Sequence, residues 1–205
     1  MFSCGVLRLR SSCPNSIPVI SKLELVLDIY PSLSLILRYI YCLVFQGARP
    51  SAGASYANSD RTLEQKQDRR GDRATGWNAG FKYDTNRVYL AAYYGTVNNM
   101  HYIGSADGFS HKARGFEVLA QYHFDSGFTP SVLYTQGTAL NLHNDDYSHN
   151  MDYIKFFDLA GMYNFNKNLE LIVEYKLNLL NRNMFTVANH ISTDDITNVT
   201  LKYSF

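Results

Sequence analysis

From Gly47 to Phe205 the chain alternates apolar and polar residues in blocks of about ten, and this period of two constrains its fold most tightly. The closing stretch NVTLKYSF sets Val199, Leu201, Tyr203 and Phe205 against Asn198, Thr200, Lys202 and Ser204. A helix groups positions three and four apart, whereas a strand sends successive side chains to opposite faces. A frayed tail would gain nothing from such patterning, so the last strand is expected inside a sheet.

The same pattern recurs upstream. GWNAGFKYD places Trp77, Ala79, Phe81 and Tyr83 opposite Asn78, Gly80 and Lys82. GFEVLAQYHF opposes Phe116, Val118, Ala120, Tyr122 and Phe124 to Glu117, Leu119, Gln121 and His123. FFDLAGMYNF sets Phe157, Leu159, Gly161, Tyr163 and Phe165 against Asp158, Ala160, Met162 and Asn164. LELIVEYKLN sets Leu169, Leu171, Val173, Tyr175 and Leu177 against Glu170, Ile172, Glu174, Lys176 and Asn178. With SAGASYANS, RVYLAAYYGT, PSVLYTQG and DITNVTLKYSF, the pattern predicts about eight strands, each long enough to cross a membrane at a tilt.

The connections alternate as well. Short turns fall near 84–86, 125–129 and 166–168, and long polar loops near 60–75, 97–114, 139–152 and 180–194. Tight turns at one surface and long loops at the other are the habit of a transmembrane antiparallel β-barrel. A soluble ligand-binding barrel has the same period. Two features favour lipid: the loop asymmetry, and the aromatics Tyr83, Phe124, Phe165 and Phe205 at strand ends, where an interfacial girdle would lie. The polar set then supplies the pore-lining candidates Lys82, Glu117, Asp158, Glu170, Glu174, Lys176 and Lys202, four acids against three lysines.

Composition narrows the function. A net charge of +1 with no basic stripe gives no sign of a nucleic-acid partner. No nucleophile–base pair, phosphate loop or carboxylate dyad stands out, so no enzyme and no cofactor are expected. HNDDYSH gathers His143, Asp145, Asp146 and His149, but its spacing fixes no coordination geometry and the loop reads as solvated, with no metal. Arg69, Arg70 and Arg73 in a densely charged loop could meet lipopolysaccharide phosphates, against the plainer reading of a solvated loop. Asn198-Val199-Thr200 matches a glycosylation triplet but falls within a strand.

Residues 1–46 differ in character. They hold Cys4, Cys13 and Cys42 and the prolines Pro14, Pro18 and Pro31, with apolar runs but no steady period. SLSLILRYIYCLVF is too short for a spanning helix and carries Arg38. Prolines and the charges Glu24 and Asp28 break the core that a secretory signal would need. Cys4 and Cys13 lack a paired CxxC and read as ordinary unpaired cysteines. The expectation is an irregular or mis-assigned start, followed from residue 47 by the barrel.

GFKYDTNRVYLAAYYGT, FEVLAQYHFDSGFTPSVLYTQG, MYNFNKNLELIVEYKLNLL and STDDITNVTLKYSF resemble the closing half of the trimeric general porins of Gram-negative outer membranes. The resemblance implies half of a sixteen-stranded barrel, wide enough in full for water and for passive diffusion of ions and small hydrophilic solutes. It implies outer-membrane lipid, lipopolysaccharide and the barrel-assembly machinery as partners. Leu201, Tyr203 and Phe205 then look like the C-terminal assembly signal. It also implies a homotrimer, although much of that interface, the acidic constriction loop and most facing arginines belong to the half not matched. Thr129 stands where the family commonly has an arginine before Pro130. The expectation is a truncated or rearranged porin. Two alternatives stand beside a working pore: a remnant unable to assemble alone, and a small closed barrel serving adhesion or structure through its loops.

Overall fold

The computed structural model describes residues 19–27, 35–46, 50–68, 71–142, 147 and 149–205. Eight long strands follow residue 47: β3 (Pro50–Asp60), β4 (Arg73–Asp84), β5 (Val88–Asn98), β8 (Lys112–Tyr122), β9 (Phe128–Leu140), β10 (Met151–Asn164), β11 (Leu169–Asn178) and β12 (Ile196–Tyr203). Before them β1 (Val19–Leu27) and β2 (Leu35–Gln46) extend the same sheet, β2 pairing with β3 from Ile36↔Asp60 to Gln46↔Ser51. The sheet therefore does not stop at the change of composition near Gly47. Strand pairing runs through backbone groups, which are indifferent to the loss of side-chain period.

The order is β1-β2-β3-β4-β5-β8-β9-β10-β11-β12, each strand antiparallel to its chain neighbour. A short hairpin, β6 (Tyr102–Gly104) with β7 (Gly108–Phe109), decorates the connection 99–111. A 3-10 turn (Gln65–Asp68) folds the connection 61–72, and helix α1 (Met184–Ala188) folds 179–195. Short and long connections alternate as the sequence predicts. Three of the long ones, 61–72, 99–111 and 179–195, read from sequence simply as polar loops, carry structure of their own.

Register fixes the two faces. Tyr94↔Phe116, Ala92↔Val118↔Tyr134↔Phe157↔Leu177 and Leu90↔Ala120↔Val132↔Leu159↔Tyr175 run across one of them. This face is apolar and open: Phe81, Val132 and Leu159 are 50%, 45% and 47% exposed. Aliphatic residues hold its middle and aromatics its margins. Toward the long loops Trp77 meets Tyr94 at 5.6 Å, and at mid-strand Tyr134 meets Phe157 at 4.9 Å. Near the short turns Tyr122 meets Phe124 at 4.6 Å and Tyr163 meets Phe165 at 4.9 Å. An apolar surface this broad is costly in water and suited to hydrocarbon between two interfacial belts.

The well-buried residues lie elsewhere. Ser59, Ala74, Ala113 and Ala139, all nearly inaccessible, sit on the opposite face at the long-loop end. Ala139 packs with Leu142 and Phe185, and Ile103, Tyr147, Met151, Tyr153 and Ile191 close around them. The core is thus built where folded loops lie against small residues of the sheet.

Candidate functional site

All seven charged candidates share the face opposite the apolar band. Asp158 pairs with Lys176, Glu170 with Lys202, and Glu174 with both Ala160 and Asn198. Glu117 sits between Tyr93 and Thr135, and Lys82 pairs with Ala91. The structure gathers five of them, Asp158, Glu170, Glu174, Lys176 and Lys202, on the neighbouring strands β10, β11 and β12. It leaves Glu117 on β8 and Lys82 on β4 apart from them.

Local partners hold five of these charges. Lys202 Nζ lies 3.3 Å from Glu170 Oε2, and Asn198 Nδ2 donates to Glu174 Oε2 at 2.8 Å. Lys176 Nζ stands 4.1 Å from the centre of the Phe156 ring. Lys82 pairs at 3.3 Å with Asp84, an acid on the same face that the sequence reading did not select. These pairs are solvated and worth roughly 0–1 kcal/mol each, so they shape local potential more than stability. Leu201 and Tyr203 lie on the apolar face and are exposed, as is Phe205, whose ring meets that of Tyr203 at 5.8 Å.

The described part of connection 61–72 holds more internal bonds than its charged composition suggests. Arg61, read simply as part of a charged run, is buried. Its guanidinium forks onto Asp68, with further bonds to the carbonyls of Gln65 at 2.7 Å and Gly71 at 2.9 Å. Arg73 stands 3.9 Å from Asp60; Arg69 and Arg70 lie outside the described residues, as do His143, Asp145 and Asp146. His149 Nδ1 is 3.1 Å from the Leu142 carbonyl, and no cluster of metal-ligating side chains occurs among the described residues.

Helix α1 begins with a reciprocal cap: Asn183 accepts from the Thr186 N–H, and Thr186 Oγ1 accepts from the Asn183 N–H. The sequence reading passed over this element. Its signal was an apolar cluster, Met184, Phe185, Val187 and Ile191, inside an otherwise polar loop. Close by, Tyr175 Oη donates to Asp195 at 2.6 Å and the Asn178 N–H at 2.8 Å, holding the Asp195 carboxyl below its usual range. Its folded pKa is lower than its unfolded one, so this anchor is fully present above about pH 4 and is lost as pH falls through the folded value. NMR titration of the folded chain should place the Asp195 midpoint below about 3.9, and a midpoint at or above that value would refute the anchor.

The faces, girdles and loop asymmetry are those of an outer-membrane barrel wall, and comparison with known proteins agrees. The Gram-negative porin family matches residues 39–205. The chain belongs to the Gram-negative porins. Outer membrane protein F of Serratia marcescens is 43% identical to this porin over 173 residues, covering 78% of this chain and 46% of that protein. Outer membrane porin N of Escherichia coli K12 is 42% identical, covering 76% and 44%. A solved structure of Salmonella typhi OmpF in complex with daunomycin matches with a TM-score of 0.73 at 34% identity, covering 82% of this chain and 50% of that one. This porin therefore spans about half the length of the relatives it matches, and the match begins within residues 1–46.

Proposed function

We propose that this porin chain forms part of the wall of a water-filled barrel through which ions and small hydrophilic solutes pass by passive diffusion. The observation that carries the reading is the register, which segregates an exposed apolar face from a face holding Lys82, Glu117, Asp158, Glu170, Glu174, Lys176 and Lys202. In hydrocarbon the first face meets lipid, and the second then lines water. With both signs of charge on that wall, ion selectivity is weak, because strong selectivity needs rings of one sign. No chemical step is involved.

Among the described residues β12 has β11 as its neighbour and its other edge free. An unpaired edge in lipid leaves backbone groups unsatisfied at several kcal/mol each, so a conducting wall needs further strands beside β12. The assembly machinery would read Leu201, Tyr203 and Phe205, lipopolysaccharide would meet the long-loop end, and the trimer is inferred from the family resemblance. The folded loops favour a second reading, in which a small barrel acts through those loops in adhesion or structure.

The full chain, refolded in lipid vesicles, distinguishes these readings. A band whose gel mobility changes on heating, together with discrete conductance steps, is the expected result. A heat-modifiable band that never conducts would refute the pore and leave the loop-based reading. Aggregation alone would indicate a remnant that cannot assemble.

A further inference from the structure

On the charged face, Gly95, Gly115 and Gly137 stand side by side on the neighbouring strands β5, β8 and β9. Tyrosines cover the outer two. A Cβ on Gly95 would stand 2.8 Å from Tyr93 Oη, and one on Gly137 would stand 2.6 Å from Tyr153 Cζ and 2.8 Å from its Oη. A Cβ on Gly115 would meet nothing within 4 Å. The space above Gly115 is therefore an open slot with a phenol on either side. Neighbouring strands lie about 4.8 Å apart, so the two flanks are about 10 Å from each other.

Glu117 closes one end of the slot. It lies two residues beyond Gly115 on the same face, about 7 Å along the strand, and directly opposite Tyr93. Its side chain is exposed and has no ion pair or hydrogen bond among the described residues. The nearby ammonium of Lys176 is engaged elsewhere, 4.1 Å from the centre of the Phe156 ring, and Phe156 sits two strands away from Glu117 across Thr135. Tyr153 is propped from connection 99–111, where the His101 ring meets it at 4.3 Å. His101 is itself fixed, because its carbonyl accepts from the Ser110 N–H at 2.8 Å and from Ser110 Oγ at 3.2 Å.

We propose that Tyr93, Glu117 and Tyr153 form a binding site for organic cations bearing an alkylated ammonium group, seated over the open floor at Gly115. The site deepens the pore reading above, since it needs this face to meet water, but its occupancy does not need conduction. The unpaired carboxylate attracts a cation and repels an anion. Aromatic rings favour an ammonium clothed in carbon, which sheds its water more readily than a metal ion does. A hard metal ion wants six or more oxygen ligands, and this slot offers one carboxylate and two hydroxyls. Glycine as the floor lets the alkyl groups approach the backbone closely.

The test uses the full chain folded in lipid nanodiscs, with amide NMR during titration by tetramethylammonium chloride and, separately, by potassium chloride at equal ionic strength. Tetramethylammonium should give saturable shifts at Gly95, Glu117 and Gly137, and potassium should not. Glu117→Gln should raise the half-saturating concentration about two- to fivefold. Gly115→Val adds a side chain where nothing obstructs its Cβ, so the strand should form while the filled slot loses the shifts at Gly95 and Gly137. Equal shifts with potassium, shifts that never saturate, or an affinity untouched by both variants would overturn the site. Conductance in planar bilayers separates the two readings. Saturable shifts in a chain that never conducts would sink the pore and leave the site, and conductance without shifts would do the reverse.

Discussion

Phe185→Ala is expected to cost about 3–5 kcal/mol of local stability, the range for deleting a fully buried aromatic side chain. Phe185 is 0% exposed and is the largest fully buried side chain among the described residues. Its ring touches Ala139 of the sheet and Tyr147 of a second connection, so its loss opens a cavity where three connections join. The effect should appear as faster exchange at the amides of Val187, Asn189 and Ile191, which bond within 179–195. Strands β8 to β11 should keep their protection, because their ladders do not depend on this cluster. A change below about 1 kcal/mol in those amides would mean that connection 179–195 is not held by the Phe185 cluster.

Leu159→Arg should destabilise the chain in lipid by about 2–4 kcal/mol, because its side chain projects from the middle of the apolar band. Leu159 lies between Val132 and Tyr175, with the aromatic belts above and below. Ala160→Arg, one residue along and on the charged face beside Glu174, is the matched control and should cost far less. The period of two makes this contrast sharp, because adjacent residues answer to different solvents. Denaturant titration in vesicles measures both. Equal penalties would mean that the faces are misassigned, and with them the whole charged wall.

The division into an apolar and a charged face was legible in the sequence. Strand existence, the partition into faces and the seven candidate charges all follow from alternation, and register keeps all seven on one side. The loops were not legible to the same degree. Arg61 reads as one charge among many in a solvated run, yet it is buried because Asp68 and two carbonyls accept from its two terminal nitrogens. Asp84, beside Lys82, was missed because it falls at the strand end, where the alternation fades into a turn. The sheet strands before residue 47 were missed because pattern, and not pairing, was the only signal available.

Sequence alone thus determined what repeats: the strands, their antiparallel order, the two faces and the aromatic margins. Each rests on a short local period, and each long strand pairs with the next long strand in the chain, so local information suffices. The tertiary structure decided the inward fold of the long connections and the junction of Asp107, Asn189 and Tyr147. Those contacts join residues as many as 83 positions apart and occur once, with no period to announce them. They exist because small residues at one end of the charged face, Ala113, Gly137 and Ala139, leave room for loop side chains to leave water.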